Sequence, residues 1–388
     1  MQDGTWPYFG PDELDAVANV LKSGRVNYWT GQEGRHFESD FAAWCGTKHA
    51  IAMANGSVTI EACVHALGLK PGDDFVTTPR TFVASSSVCV LQGLRPVFAD
   101  VDPDSGNITP ESIERVLTPK TKLILPVHLA GWPCDMPGIM DLAGSIGAFV
   151  IEDCAQAHGA KIGDRNVGTY GEINTWSFCQ DKIMTLGGEG GMVTTDADEL
   201  WSSAWSYKDH GKNYESVYRK DHPIGFRWLH DTWGTNLRLT EMQSAIGRRQ
   251  LQKLPQWTAA RTANAQILAS YLASCPAVRV PQVPDGYTHA YYKFYAYVLP
   301  EALADGWSRD RIMTEISAQG LPAYSGSCSE IYLEKAFDGT DSRPKERLPM
   351  ARELGDTSLM FLVHPTLDEA KMHQYGEAIQ TVLRKATK

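Results

Sequence analysis

This chain lacks a basic excess, paired-cysteine motifs and long apolar runs. Its 36 Lys and Arg against 46 Asp and Glu leave a formal charge of −10, which gives no overall electrostatic footprint for nucleic acid or anionic membrane. No uninterrupted apolar run reaches the roughly 18 residues that a membrane-spanning helix needs, so no span is expected. The opening Met1-Gln2-Asp3-Gly4-Thr5-Trp6-Pro7 carries neither a basic stretch nor an apolar one, and no secretory signal is expected from it. The eight cysteines (Cys45, Cys63, Cys89, Cys134, Cys154, Cys179, Cys275 and Cys328) include no C-x-x-C pair. Reduced, mostly buried thiols and a cytoplasmic location are the expectation. G-x-G-x-x-G and G-K-[ST] are absent too, which removes the dinucleotide and phosphate-loop signatures. His49, His65, His128, His158, His210, His222 and His230 show no metal-ligand spacing, so no metal site is expected.

The residues present make up an ordinary globular composition. The 388 residues are 43% hydrophobic and 21% charged, enough for one large core and a smaller appendage. Short apolar runs at Ala50–Ala54, Phe75–Thr78, Pro96–Ala99, Leu123–Val127, Ala148–Ile151, Thr175–Phe178 and Met192–Thr194 read as strands. Several are apolar at consecutive positions, as strands covered on both faces are. Helical patterns lie between them, at Val58–Leu69, Ser112–Val116 and Met136–Ile146. This alternation predicts an α/β fold with a mainly parallel sheet flanked by helices. A further helix is expected over Leu237–Leu251. The character changes near Leu254-Pro255: a helix at Trp257–Leu272, a strand at Tyr291–Val298, helices at Arg309–Gln319 and Leu367–Arg384, and an irregular stretch at Ser325–Pro349. These predict a large domain over residues 1–254 and a smaller C-terminal α+β domain over 255–388.

Three segments stand out chemically. Asn55-Gly56-Ser57 ends a strand and precedes a helix, where a Gly turn, a capping Ser and free N–H groups can hold a phosphate. Asp153, in Ile151-Glu152-Asp153-Cys154-Ala155-Gln156-Ala157-His158-Gly159, lies at the carboxyl end of a buried strand, where open α/β sheets bind ligands. A buried carboxylate needs a cation or donors, and a protonated heterocycle nitrogen would serve as well as a helix N-terminus. The third is Lys182, between Trp176-Ser177-Phe178-Cys179-Gln180-Asp181 and the Gly-rich Gly187-Gly188-Glu189-Gly190-Gly191; it is a candidate Schiff-base amine.

Other features suggest less chemistry. Asp100, Asp102, Asp104 and Glu111 mimic a calcium loop, but Gly106 falls one place late and Pro103 interrupts it, so a turn is expected. Trp201 and Trp205, one helical turn apart, read as packing. The charges of Tyr207–Arg227 (Lys208, Lys212, Arg219, Lys220 and Arg227 against Asp209, Glu215 and Asp221) fit a solvated loop or a field for an anionic substrate.

In order along the chain come Asn55-Gly56-Ser57, Pro79-Arg80-Thr81-Phe82, Pro126-Val127-His128-Leu129, Glu152 to Gly159, Ser177-Phe178 with Lys182, the Gly187–Gly191 turn, and Gly234-Thr235-Asn236-Leu237-Arg238. This set resembles the DegT/StrS-type sugar aminotransferases, pyridoxal 5'-phosphate enzymes of fold type I. The resemblance is best over residues 5–270. It implies that Lys182 forms the internal aldimine and later shuttles a proton, and that Asp153 keeps the pyridine nitrogen protonated. It also implies that Phe82 stacks on the ring, that Gln156 lies near the ring's phenolic oxygen, and that Gly56, Ser57, Val58 and Ser177 cradle the phosphate. Asn236 would reach that phosphate from a second subunit, which implies a homodimer with shared active sites.

The implied reaction is ping-pong transfer of an amino group from an amino acid, L-glutamate, to a nucleotide-linked keto-sugar. Arg238 and Tyr324 are the candidates for substrate contacts. The small domain departs from the family pattern: Tyr324-Ser325-Gly326-Ser327-Cys328-Ser329-Glu330-Ile331-Tyr332 stands where relatives carry Y-P-x-P-L-H. That departure leaves open a cyclitol or other carbocyclic ketone as acceptor. A cofactor-binding regulatory relative without turnover is the other alternative. Related sugar dehydratases have histidine in place of the lysine, so Lys182 implies transamination.

Overall fold

The computed structural model describes residues 5–219 and 228–388. In chain order its strands are β1 (His49–Met53), β2 (Asp74–Thr77), β3 (Arg95–Phe98), β4 (Thr121–Leu125), β5 (Phe149–Asp153), β6 (Lys161–Ile162), β7 (Arg165–Asn166), β8 (Ile173–Ser177), β9 (Gly191–Thr195), β10 (Val278–Arg279), β11 (Tyr287–Thr288), β12 (Phe294–Val298) and β13 (Ser358–Phe361). The helices are α1 (Pro11–Ser23), α2 (Glu33–Cys45), α3 (Gly56–Ala66), α4 (Ala84–Leu91), α5 (Pro110–Glu114), α6 (Met136–Ile146), α7 (Asp198–Lys208), α8 (Tyr214–Tyr218), α9 (Glu241–Leu272), α10 (Arg309–Ser317), α11 (Pro349–Thr357) and α12 (Glu369–Ala386).

A seven-stranded sheet in the order β1-β9-β8-β5-β4-β2-β3 forms the centre. The pairs β8/β5, β5/β4, β4/β2 and β2/β3 are parallel, whereas β9 runs antiparallel to both β8 and β1. Leu123, Ile124 and Leu125 of β4 and Val150 and Ile151 of β5 have no exposed surface, because helices cover both faces. The consecutive apolar positions of the sequence reflect that double cover. All the parallel strands therefore deliver their carboxyl ends to one side of the sheet, and the loops after β1, β2, β5 and β8 meet there. The fold class expected from the sequence is the one observed.

A second, antiparallel sheet of order β10-β12-β13 lies in the C-terminal part. Its core joins Phe294, Ala296, Leu359 and Phe361 to Ile312, Ile316, Ile379 and Leu383 of α10 and α12. Within the irregular stretch expected before Pro349, two short 3-10 turns occur at Ile331–Leu333 and Lys335–Phe337.

Three expectations about local structure are corrected. The helices expected at Leu237–Leu251 and Trp257–Leu272 are one helix, α9, of 32 residues with Pro255 inside it. Thr240 caps α9 by accepting from the N–H of Gln243. Pro255 removes one donor from the ladder, but Leu251 and Leu254 on one side and Ala265, Leu268 and Leu272 on the other are buried in two different cores. That packing holds the helix through the proline.

The strand expected from Tyr291 begins only at Phe294. Tyr291 has φ +45°, and the preceding backbone is diverted: Ala290 N–H donates to Gly131 O (2.9 Å) and Tyr292 N–H to Ala130 O (2.8 Å). Finally, the cap of α3 is Asn55 rather than Ser57. The Asn55 side chain accepts from the N–H of Ser57 and of Val58, as an Asn at the position before a first helical turn does.

Candidate active site

A cavity of about 700 Å³ opens at the carboxyl ends of β1, β2, β5 and β8. Gly56, Ser57, Val58, Phe82, Asp153, Gln156, Ser177 and Lys182 all line it, so the structure brings together eight of the residues singled out in the sequence. The first turn of α3 forms one end. There Gly56 sits against Ser177, where an added Cβ would come within 2.7 Å of the Ser177 Cβ. Only a glycine lets the two loops approach so closely. Asn55 engages the N–H groups of Ser57 and Val58 at 3.0 and 3.1 Å, so the donors that Gly56, Ser57 and Ser177 bring to this part of the lining are the Gly56 N–H and the two hydroxyls.

Asp153 ends β5 and is 5% exposed. Ser85 Oγ donates to its Oδ2 at 2.8 Å, and the Ala155 N–H to its Oδ1 at 3.1 Å. Among the described residues no cationic side chain pairs with it. A carboxylate this buried is costly without a positive partner, and its open side is the cavity. Gln156 Oε1 accepts from the Ala130 N–H at 2.8 Å. That bond assigns the oxygen to the protein and leaves the amide NH₂ for the cavity. Phe82 is 70% exposed, a bare aromatic face on the cavity wall.

Lys182 follows β8 and lines the same cavity. Its Nζ lies 5.0 Å from the ring centroid of Tyr292, and the Tyr292 hydroxyl donates to the Asp181 carboxylate. Trp6 fixes the lysine backbone by donating from Nε1 to Lys182 O at 2.8 Å. His158, fully buried between Trp176 and Phe178, has its pKa lowered to about 3 by burial, with smaller contributions from Lys182 and Arg261. It is a neutral ring at physiological pH.

Three of the singled-out residues, Asn236, Arg238 and Tyr324, do not line the cavity. Asn236 Oδ1 accepts from the Arg238 N–H at 3.3 Å, in a segment bridged to Asp209. Arg238 is paired with Asp209 at 2.7 Å rather than turned toward Lys182. Tyr324 pairs with Met360 at the edge of the small sheet. In the charged stretch after Tyr207, Lys208 is buried 3.9 Å from Glu38 and Lys212 is 2.9 Å from Asp209; Lys220, Asp221, His222 and Arg227 lie outside the described residues. His128, Glu152 and Cys154 come together in three dimensions. Glu152 there accepts His128 Nε2 at 3.0 Å and the N–H groups of Gly168, Tyr170 and Gly171, so its lone pairs are already engaged. The Asp102 carboxylate accepts from the N–H groups of Asp104 and Ser105, which makes the calcium-like stretch a turn.

Comparison with known proteins now bears on this cavity. A sequence profile of the DegT/DnrJ/EryC1/StrS aminotransferase family matches residues 7–380. The chain belongs to this family. It is 33% identical over 379 residues to the UDP-N-acetyl-3-dehydro-alpha-D-glucosamine 3-aminotransferase of Acidithiobacillus ferrooxidans, covering 97% of this chain and 96% of that one. It is 30% identical to the dTDP-3-amino-3,4,6-trideoxy-alpha-D-glucose transaminase of Streptomyces venezuelae, covering 94% and 90%. Among solved structures, the aminotransferase from Psychrobacter cryohalolentis superposes with a TM-score of 0.97 at 55% identity over 99% of both chains.

As a DegT/DnrJ/EryC1/StrS member the chain is a pyridoxal-phosphate-dependent sugar aminotransferase, and its cavity suits that cofactor. The unpaired Asp153 matches a protonated ring nitrogen, Phe82 a ring face, the Gln156 amide a ring oxygen, and the donors at Gly56, Ser57 and Ser177 a phosphate. Sequence reasoning missed Ser85, Asp181 and Tyr292. Ser85 was within reach, since it lies one helical turn beyond Phe82 at the start of α4. Tyr292 gave no local signal, because its place depends on the diverted backbone at Ala290–Tyr292.

Proposed function

We propose that this aminotransferase moves an amino group from L-glutamate to a nucleotide-linked keto-sugar, in two half-reactions that use the same cavity in turn. Bound pyridoxal phosphate supplies an electron-accepting ring. The protein supplies the rest. Lys182 is the covalent anchor when no substrate is bound and, once displaced, the amine that carries a proton to and from the reacting carbon. Asp153, oriented by Ser85, holds a proton on the ring nitrogen and so keeps the ring electron-poor. Phe82 fixes the ring plane, and the first turn of α3 with Ser177 fixes its phosphate end.

The observation that carries this reading is one cavity lined by Lys182, by the bare ring of Phe82 and by a buried Asp153 that no cationic side chain among the described residues pairs with. Two relatives matched over nearly their whole length bear names of enzymes that aminate nucleotide-linked sugars, which supports the acceptor class. Lys182 is the one lysine among the described residues that line this cavity, which supports sequential half-reactions. A homodimer is part of the reading: Asn236 lies off its own chain's cavity, and the nearby Trp228 and Trp233 are 87% and 93% exposed, an apolar surface that a second copy would cover.

The test is the near-visible absorption of the cofactor-loaded protein, before and after L-glutamate and then after a nucleotide-linked keto-sugar. Glutamate should replace the resting band with that of the aminated cofactor, and the keto-sugar should restore it. A band that ignores every amino donor would refute the reading in favour of a regulatory protein without turnover. A band restored by a carbocyclic ketone and not by any keto-sugar would move the acceptor class.

A further inference from the structure

A lysine that anchors a cofactor and then carries a proton must bring its nitrogen back to the same place each time, and the main chain decides where its side chain starts. Lys182 lies in an irregular loop between β8 and β9, outside any helix or strand. Its N–H donates to Cys179 O at 3.0 Å, within the loop. Just beyond it Ile183, Met184 and Leu186 are fully buried, and packing holds that end. The Lys182 carbonyl is held from outside. It accepts from Trp6 Nε1 at 2.8 Å, across 176 positions of sequence, and among the described residues no other donor reaches it.

Trp6 is itself seated on α9 and on the segment after β13. Trp257 and Arg261 stand one turn apart on α9, on the same face. The Trp257 ring meets Trp6 edge-on at 5.1 Å, and the guanidinium carbon of Arg261 lies 4.9 Å from the Trp6 ring centroid. His364 stacks on the other ring contact at 6.1 Å. Thr366 Oγ1 donates to the Thr5 carbonyl at 3.0 Å and so ties down the residue before Trp6. Trp257, Arg261 and His364 are all buried.

Arg261 links this seat to the cavity. It also donates to the carbonyls of Tyr291 and Tyr292 at 3.3 Å, and the Tyr292 ring centroid lies 5.0 Å from Lys182 Nζ. One buried guanidinium thus supports both neighbours of the lysine, Trp6 at its carbonyl and Tyr292 at its amine. The Nε and Nη2 atoms of Arg261 have no acceptor among the described residues, and the Trp6 ring is a contact that offsets part of that cost.

We infer that Trp6 is a positioning residue for Lys182. Its indole N–H sets the main chain from which the reactive amine is aimed, and α9 with the 364–366 segment keeps the indole in place. An indole suits the task because it packs a broad apolar face while presenting one donor and no acceptor. The inference rests on the reading of Lys182 as the reactive amine.

Trp6→Phe separates packing from the hydrogen bond, since a phenyl ring keeps the first and lacks the donor. Stopped-flow mixing of the cofactor-loaded protein with L-glutamate follows the loss of the resting band. The maximal rate should fall roughly two- to tenfold, the net worth of one hydrogen bond. The half-saturating glutamate concentration and the cofactor affinity should stay as in wild type. Thr366→Val, which frees Thr5 and leaves the indole intact, should lower the same rate by less. In cofactor-free protein, hydrogen–deuterium exchange read by mass spectrometry should quicken over residues 179–186 of Trp6→Phe and remain unchanged over α3 and β5.

An unchanged maximal rate in a folded Trp6→Phe protein would overturn the inference, and so would a change confined to the half-saturating concentration. Should that variant not fold, unchanged rate and exchange in Thr366→Val would do the same. Borohydride reduction of loaded wild type separately locates the anchoring lysine. Cofactor fixed to a different lysine, or a band that ignores every amino donor, would sink the proposed function. Exchange over residues 179–186 would then still decide whether Trp6 holds this loop.

Discussion

Single residues set the tolerances of this cavity. Gly56 sits where an added Cβ would press on the Cβ and Cα of Ser177, at 2.7 and 3.3 Å, and backbone cannot yield as the tip of a long side chain can. Gly56→Ala should therefore push the first turn of α3 away from Ser177. We expect it to weaken cofactor binding about tenfold or more, ~1.4 kcal/mol, while leaving the melting temperature nearly unchanged. Equilibrium titration of apoprotein with pyridoxal phosphate measures this, and unchanged affinity would refute the close approach. His158 makes a second case. Its folded pKa near 3 lies below the unfolded value of about 6.5, so between those values the unfolded chain binds a proton that the folded one refuses. The stability it permits is complete above pH ~6.5 and is lost as pH falls, by roughly 2 kcal/mol at pH 5. Urea unfolding at pH 7 and pH 5 should show a smaller loss in His158→Phe than in wild type. Equal losses would mean that the ring is protonated or solvated in the native state.

At the scale of elements, α9 is the one that the sequence disguises. Pro255 and a shift in composition suggest two helices, because local propensity penalises proline inside a helix by about 3 kcal/mol relative to alanine. The structure outweighs that cost with buried residues on both sides of the proline. Pro255 is exposed, so Pro255→Ala should restore one backbone hydrogen bond without disturbing either core. An increase in unfolding free energy of about 1 to 3 kcal/mol is expected; a decrease would show that the proline geometry is itself required. The same contrast explains what was legible. Strands buried on both faces, such as β4 and β5, are read from consecutive apolar residues, and Asp153 at the end of β5 and Lys182 after β8 lie in local motifs. The start of β12 was misread because Tyr291–Tyr292 leaves its own sheet to pair with Ala130–Gly131, a contact between segments about 160 residues apart in sequence that no local pattern encodes. Tyr292 and Asp181 went unseen for that reason.

At the scale of the whole molecule, the separation of Asn236 from the cavity of its own chain has a direct consequence. If the phosphate of one site is reached by Asn236 of a second copy, each site of a two-fold assembly combines Lys182 from one chain with Asn236 from the other. Lys182→Ala should abolish turnover. Asn236→Asp keeps an oxygen for the Arg238 N–H (3.3 Å in the native chain) yet turns a negative charge toward the phosphate, and should remove most activity at limiting cofactor. In a dimer that joins the two variants, one site carries both changes and the other carries neither. Random reassortment of equal amounts therefore restores about a quarter of the wild-type sites from two nearly inactive proteins. Activity measured after co-expression, with the assembly's mass determined by light scattering, decides the matter. A mixture that stays inactive while forming dimers would confine Asn236 to the turn it makes with the Arg238 N–H of its own chain and leave the cavity complete within one subunit.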